Sequence, residues 1–343
     1  MRDASNMEPP RIAAQRDDDM SESTRWSFPP ELQPTQGDAG FDLKAALDAV
    51  VAVRAKIPDD AFTASILGTE RIGNGVVIAD DGLVLTIGYL ITEAASVWLT
   101  ANDGSVVEGY PLAYDFATGF GLIHPLGRLD LPPLARGSSA GVAKDDDVFV
   151  LGFGGRAHAL KATVFAKREF AGYWEYVLDE ALFTTPPHPE WSGAALVDES
   201  GRLVGVGSLL LQEQSGGETI DGNMFVPIDL LDPILHDLLR TGRSGRPARP
   251  WLGLYAAETQ GRLVVNGVAS GGPAEQAGVE PGDVVVAVAG ERVSALAQLF
   301  RTVWRQGPAG TAIALTLARG GDPVHVQVRT VDRYALLRKP QLQ

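Results

Sequence analysis

The chain of 343 residues contains no cysteine. Disulfide bonds, thiolate metal sites and a cysteine nucleophile are therefore excluded, and a reducing cytosolic location is permitted. Long apolar runs are also missing, since no stretch approaches the ~18 apolar residues of a membrane span. The beginning of the chain lacks the apolar segment of a secretory signal. These absences predict a cytoplasmic protein with no direct insertion into a membrane.

Basic side chains are scarce, with 29 Lys and Arg against 43 Asp and Glu, for a net charge of −14. This charge repels phosphate backbones and anionic lipid, so nucleic acid is excluded as a partner. Histidines and carboxylates do not recur at a metal-ligand spacing, and we expect neither a metal nor a cofactor. The hydrophobic fraction of 45% is sufficient for real cores, and the length predicts about two domains.

Composition divides the chain into five segments. Residues 1–40 are polar and acidic and predict a disordered tail. Residues 41–240 contain short apolar runs separated by turn signals such as Asp80-Asp81-Gly82, a rhythm typical of antiparallel β-barrels or a sandwich. Residues 241–250 predict a linker, 251–333 a second compact domain, and 334–343 a C-terminal tail.

Residues 269–293, ASGGPAEQAGVEPGDVVVAVAGERV, closely resemble a PDZ domain of the type found in bacterial proteases. Such a domain binds an extended C-terminal peptide by adding it to a sheet edge, while loop amides hold the carboxylate. The resemblance implies protein C-termini or extended peptides as partners. A small domain that only packs on its neighbour is the alternative. The positions that the resemblance assigns to peptide binding are Trp251, Leu252 and Gly253 in the carboxylate loop, Leu254, Tyr255 and Ala256 on the edge strand, and Leu296 and Leu299 at the pocket.

The first domain resembles the HtrA-like serine proteases. The matching segments are Gly73 to Thr86, Asp115 to Ile123, and Trp191 to Asp198 followed by Gly201 to Val206, in the order and spacing of that family. The implied fold class is mainly β, a chymotrypsin-like double β-barrel followed by a small α+β PDZ domain.

The chain departs from this family at the catalytic positions. Tyr89 stands where the family has its histidine, Gly119 where it has its aspartate, and Glu190 in place of a glycine of the oxyanion loop, whereas Ser192 keeps the nucleophile position. A phenol, with a pKa of ~10, cannot take a serine proton and return it at neutral pH. We therefore expect an inactive homologue of a serine endopeptidase, a pseudoprotease that serves as a PDZ-mediated scaffold or quality-control adaptor. Tyr89 then fills the old cleft or lines a ligand groove.

Alternatives remain open for the function of the chain and for the roles of single residues. Ser192 could serve an active serine endopeptidase with a non-standard base, and His188, four positions earlier, is the histidine nearest to it in sequence, although a solvent-facing loop residue is expected there. Glu93 is expected to be a solvated helix charge. The chain could also be a structural oligomer with an unoccupied PDZ groove. Trp26 and Phe28 are candidates for a homotrimer contact, as the resemblance implies, or for docking on the chain's own barrel.

Overall fold

The computed structural model describes residues 26–215 and 218–339, with the side chains of 214, 215 and 218 left out. These residues form two compact units. The barrel unit comprises residues 26–168, 180–245 and 338–339, and the C-terminal unit comprises 169–179 and 246–337. No helix in these described ranges is long and apolar enough to cross a membrane.

Six strands of the barrel unit form a first closed barrel in the order β1-β2-β3-β6-β5-β4. Side chains alternate between core and surface along β1, as its mixed apolar and polar sequence predicts. The predicted turn between β2 and β3 is present, with Gly82 at a φ of 81° that favours glycine. The strands are β1 (Val50–Lys56), β2 (Glu70–Val77), β3 (Val84–Ile87), β4 (Ser96–Thr100), β5 (Val106–Tyr114) and β6 (Phe120–Pro125).

Six further strands form a second closed barrel in the order β10-β11-β12-β9-β8-β7. Its core contains Val150, Leu196 and Phe225, and Phe28 from the N-terminal arm packs into the same cluster. The strands are β7 (Asp147–Leu151), β8 (Ala159–Gly172), β9 (Tyr176–Thr185), β10 (Ala195–Val197), β11 (Leu203–Ser215) and β12 (Glu218–Pro227). The helices of the barrel unit are α1 (Leu43–Asp48), α2 (Ala64–Leu67) and α3 (Asp232–Thr241).

The C-terminal unit contains one sheet in the order β13-β14-β15-β17-β18, with β16 paired to β15. Because β13 pairs only with β14, it is an edge strand, as predicted. Buried Asp283 accepts from the Arg319 guanidinium and from the Glu280 amide, which fixes the turn before β15. The elements are β13 (Leu254–Thr259), β14 (Arg262–Val268), α4 (Pro273–Gln276), β15 (Val284–Val288), β16 (Glu291–Arg292), α5 (Leu296–Arg305), β17 (Ala312–Arg319) and β18 (Asp322–Arg329).

The fold class predicted from the sequence is confirmed, whereas the segment limits need two corrections. The predicted disordered tail, residues 1–40, does not extend as far as residue 40, because Phe28 is buried and the Leu32 carbonyl accepts from the Lys161 amide. Residues 1–25 lie outside the described residues. Residues 169–179, inside the predicted range of the first domain, belong to the C-terminal unit. In the predicted C-terminal tail, the Arg338 amide donates to Glu93, and residues 340–343 lie outside the described residues.

Candidate functional site

Ser192 and Tyr89 meet in the barrel unit. The Tyr89 hydroxyl lies 2.8 Å from Ser192 Oγ and 2.8 Å from the carbonyl oxygen of Ser208. A carbonyl only accepts, so the Tyr89 hydroxyl donates to Ser208, and the Ser192 hydroxyl donates to the Tyr89 oxygen. Burial raises the pKa of Tyr89, so its phenol stays protonated at neutral pH. The serine proton therefore points at an oxygen that is already protonated.

The main chain around Tyr89 is held from two sides. Tyr89 lies in a one-turn helix, Gly88–Leu90, directly after β3, and the Gly88 amide donates to the Gly119 carbonyl at 2.7 Å. Arg71, which is only 1% exposed, donates to the carbonyls of Tyr89 and Thr92 at 2.6 and 3.0 Å. Burial lowers the pKa of Arg71 to about 10, so the guanidinium remains charged at neutral pH. These bonds fix the turn that presents the phenol to Ser192.

Glu93 is buried, so the predicted solvated helix charge is wrong. The residue lies in a turn with a φ of 62°, and its carboxylate accepts from Thr63 and from the amides of Phe62 and Arg338. Burial opposes ionisation, but these hydrogen bonds outweigh it and lower the pKa of Glu93. The prediction failed because Glu93 contacts residues thirty positions earlier in the chain.

The segment that carries Ser192 is tied to β2 by Asn74. The Asn74 amide donates to the Ser192 carbonyl at 2.7 Å, and its side-chain nitrogen donates to the Glu190 carbonyl at 2.8 Å. Gly193 follows with a φ of 75°, and a Cβ there would lie 1.9 Å from the Asn74 oxygen. Only glycine fits this close approach, which explains why Gly193 accompanies Ser192.

The oxyanion-loop position, Glu190, directs its amide away from Ser192. That amide donates to Nδ1 of His188 at 3.0 Å, and Nε2 of His188 lies 2.9 Å from the His158 carbonyl. His188 is completely buried, so the expectation of a solvent-facing loop residue is wrong. Its own amide donates to the Asn223 side chain, and this buried network determines its direction. Both ring nitrogens have partners other than Ser192.

The N-terminal arm covers this network. Phe28 makes an edge contact with the His188 ring, and Trp26 makes one with His158. The Trp26 indole also donates to Glu190 Oε1 at 3.1 Å. The structure therefore shows docking on the chain's own barrel, one of the two predicted uses of these aromatic residues. Their role in a homotrimer remains a prediction.

The charges of this loop follow from its burial. Burial lowers the pKa of His188, so the ring is neutral, with its Nε2 proton donated to the His158 carbonyl. For Glu190, burial opposes ionisation, but the nearby His158 ring, whose Nδ1 lies 3.8 Å from Oε2, and the hydrogen bond from Trp26 outweigh it and lower the pKa of the carboxyl. A negative charge therefore lies close to Trp26 and His158, on a residue two positions before Ser192. In the described residues, 26–215 and 218–339, no three His, Asp or Glu side chains are grouped to hold a metal.

The predicted peptide-binding positions all lie in the C-terminal unit, and five of them share one apolar cluster: Leu252, Leu254, Ala256, Leu296 and Leu299. Seven of the eight are buried, and Tyr255 is half-exposed. The loop amides of Leu252, Gly253 and Leu254 all donate to the carboxylate of Glu175 in the same unit. The arrangement can bind an anionic group at the loop and an apolar side chain beside it.

Sequence reasoning missed Asn74, Ser208 and Glu175. Asn74 lies in a recognised segment, but its partners are 116 and 118 residues away. Ser208 contributes only a main-chain oxygen, which no residue type reveals. Glu175 stands between two aromatic residues with no motif around it. In each case the missing information is a contact that forms only in the folded chain.

Two domain families match the chain. Residues 73–206 match the trypsin-like peptidase domain, and residues 250–330 match the PDZ domain. The first of these ranges contains Tyr89, Gly119 and Ser192, and the second contains the loop from Trp251 to Leu254.

Curated relatives of the chain are named serine endoproteases. A probable periplasmic serine endoprotease DegP-like from Hahella chejuensis is 26% identical over 278 residues, which cover 76% of this chain and 56% of the relative. The serine endoprotease DegS of Salmonella typhimurium is 26% identical over 320 residues, which cover 88% of this chain and 87% of the relative. The chain thus spans about half the length of the DegP-like relatives it matches.

Among solved structures, the HtrA-type protease AlgW with decapeptide matches with a TM-score of 0.51 and 21% identity, covering 88% of this chain and 100% of that chain. This likeness supports the fold. The chain therefore contains a trypsin-like peptidase domain followed by a PDZ domain, and it is similar to the DegP-like and DegS endoproteases.

The cytoplasmic location predicted from the sequence is wrong. The DegP-like relatives are named periplasmic endoproteases, which points away from the cytoplasm. Absence of cysteine permits a reducing compartment without requiring one, because a protein with no thiols is equally compatible with an oxidising compartment.

Proposed function

We propose that this HtrA-like protein does not hydrolyse peptide bonds and that it binds protein C-termini or extended peptides through its PDZ domain, as a periplasmic scaffold or quality-control adaptor. The observation that carries the proposal is the 2.8 Å hydrogen bond between Ser192 and the Tyr89 phenol. In the resemblance to HtrA-like proteases, Tyr89 occupies the position of the general base.

A general base must accept the serine proton and later return it to the leaving amine. The Tyr89 phenol keeps its own proton, which it donates to the Ser208 carbonyl. It therefore has no capacity to accept a second one from Ser192. Loss of the base alone removes roughly 10⁴–10⁶ in rate from a serine protease.

Two further positions support the same conclusion. Gly119, at the position of the family's aspartate, has no side chain to orient or stabilise a base. The Glu190 amide, at the position of an oxyanion-hole donor, is already bonded to His188. Each missing donor of this kind costs about 3–4 kcal/mol of transition-state stabilisation.

The C-terminal unit keeps the features that peptide capture needs. The strand β13 is at a sheet edge, where an extended peptide can add by main-chain hydrogen bonds. Three consecutive loop amides from Leu252 to Leu254 point at one carboxylate. The related AlgW structure contains a decapeptide, which favours a peptide as the ligand class here too.

The first experiment separates binding from hydrolysis. We expect the full chain to remain unlabelled by a fluorophosphonate probe and to leave casein intact, and to enrich peptides from a random C-terminal library with free carboxylates. The same library with amidated C-termini is the control for carboxylate recognition. Absence of enrichment would favour a structural oligomer with an unused groove.

The competing function is a serine endopeptidase with a non-standard base at Ser192. It is favoured by the relatives, which are named serine endoproteases, and by the partial exposure of Ser192. Fluorophosphonate labelling and casein cleavage by the wild type, both lost in Ser192→Ala, would establish it and refute the inactive protein.

A further inference from the structure

The carboxylate loop of the C-terminal unit is bonded to a side chain of the chain itself. The amides of Leu252, Gly253 and Leu254 lie 3.0, 2.7 and 3.2 Å from the carboxylate oxygens of Glu175. The Leu252 amide thus bridges both oxygens, since it lies 3.0 Å from Glu175 Oε2 and 3.1 Å from Oε1. Successive main-chain amides that converge on one carboxylate form the type of anion site that captures a peptide C-terminus.

Glu175 is placed there by an unusual main-chain conformation. It is the last residue of the turn between β8 and β9 and has a φ of 63°, in the left-handed region that glycine adopts most readily. Its side chain is nevertheless buried. The conformation of this turn does not itself favour glutamate. The hydrogen bonds of the carboxylate to the loop amides explain why a glutamate stands at this position.

The rest of this hairpin, residues 169–179, contacts both β13 and α5, the two elements that flank the predicted peptide groove. Val177, two residues after Glu175, is buried in the same apolar cluster as Leu254 and Leu296. Beyond the apolar cluster, Tyr173 makes an edge contact with the Tyr255 ring of β13. The hairpin thus supplies both a carboxylate and an aliphatic side chain to residues predicted to bind a peptide.

Ion pairs hold the hairpin to helix α5. Arg301 on α5 pairs with Glu169 on β8 and with Asp179 on β9. All three side chains are substantially exposed, so each pair contributes little, about 0–1 kcal/mol. The buried contacts of Glu175 and Val177 are therefore the main attachment.

We propose that residues 169–179 are a built-in occupant of the peptide groove, in which Glu175 takes the place of a ligand's terminal carboxylate and Val177 that of its apolar side chain. A peptide then binds only when the hairpin leaves the groove. This inference rests on the proposed peptide-binding function and specifies how that site is regulated.

The charges around Glu175 are consistent with a displaceable contact. Burial raises the pKa of Glu175 to about 7, against the opposing effects of the loop amides and of Arg333. Burial also raises the pKa of Tyr255, which faces Glu175 and stays neutral. A peptide's terminal carboxyl, with an ordinary pKa of ~3.5, is ionised throughout the range in which Glu175 titrates.

The test compares the full-length wild type with Glu175→Gly, which removes the carboxylate and keeps a residue that readily adopts the left-handed main-chain conformation. Asp322→Asn removes the same charge from an exposed residue of the C-terminal unit and is the matched control. The probe is a fluorescein-labelled random decapeptide library with free C-termini, and its amidated form, at pH 7.5. We expect binding of the free-carboxylate library to be about tenfold tighter in Glu175→Gly and unchanged in Asp322→Asn, because the loop amides of the first variant lose their acceptor and its groove is open for a larger fraction of the time.

The outcomes separate the two proposals. If the wild type binds the free-carboxylate library and Glu175→Gly binds it no better, peptide recognition stands and the built-in occupant is refuted. If neither protein binds while both keep cooperative thermal unfolding, peptide recognition itself fails, and the occupant fails with it.

Hydrogen exchange of the wild type gives a second test that does not depend on a variant. Saturating free-carboxylate peptide should speed amide exchange in residues 169–179 and leave the amides of 252–254 protected. Protection of both segments in the presence of bound peptide would show that the hairpin stays in place, and would overturn the proposal.

Discussion

Removal of one oxygen atom tests the role of Tyr89. In Tyr89→Phe, the Ser208 carbonyl loses its hydroxyl donor and the Ser192 hydroxyl loses its acceptor. A hydrogen bond of this kind contributes about 0.5–1.5 kcal/mol, and a buried carbonyl left without a partner costs about 1–3 kcal/mol. Because Ser208 is buried, we expect a loss of about 2 kcal/mol, which lowers the Tm of a domain of this size by about 4–8 °C.

Differential scanning calorimetry of the full chain measures this loss in the transition of the barrel unit. Tyr110→Phe, which removes the same atom from a half-exposed tyrosine on β5, is the matched control and should change Tm by less than about 1 °C. In Tyr89→Phe combined with Ser192→Ala, the two losses should be less than additive, since both act on one hydrogen bond. A Tyr89→Phe protein with wild-type Tm would refute the hydroxyl bridge.

Three further predictions follow from the same contacts. Burial raises the pKa of Glu175 in the closed groove, so lowering the pH from 8 to 6 protonates Glu175 there and stabilises the closed hairpin. Fluorescence anisotropy should therefore show peptide affinity falling up to about tenfold in the wild type and staying flat in Glu175→Gly. Tyr89→His alone should remain unlabelled by fluorophosphonate, whereas the combination with Gly119→Asp and Glu190→Gly should gain labelling, because base, orienting carboxylate and oxyanion donor act as a unit. Arg71→Met should lose about 3–5 kcal/mol in urea unfolding, since it leaves buried carbonyls and a buried carboxylate without their cation.

The fold was accessible from the sequence because its signals are local. The turn with Gly82 and the alternation along β1 each depend on a few neighbouring residues. The segment from residue 269 to 293 predicts its helix and strands in the same way, with Asp283 closing the turn before β15. These features repeat along the chain, so one misjudged strand limit does not change the predicted architecture.

The sites were only partly accessible, because their chemistry depends on contacts distant in sequence. Resemblance placed Tyr89 and Ser192, but their hydrogen bond joins residues 103 positions apart. His188 was predicted to be a solvated loop residue and Glu93 a solvated helix charge, and both are buried by segments remote from them in the chain. A solvated charge needs no protein partner, whereas a buried titratable side chain does. Its pKa then depends on that partner, which the local sequence does not reveal.

The proposed loss of hydrolysis and the proposed control of binding differ in how readily each can be reversed. Tyr89 lies in a turn that buried Arg71 and the Gly119 carbonyl hold in place. Opening this turn breaks the hydrogen bond between the Arg71 guanidinium and the Tyr89 carbonyl. Glu175 lies at the tip of a hairpin whose outer ion pairs are exposed and weak. A peptide carboxylate offers the loop amides the same hydrogen bonds that Glu175 offers, so exchange of one for the other leaves no buried amide unpaired. The free-energy difference between the closed and the peptide-bound groove is then set mainly by the apolar side chain beside the carboxylate, and ligands with larger aliphatic termini than valine should displace the hairpin most effectively.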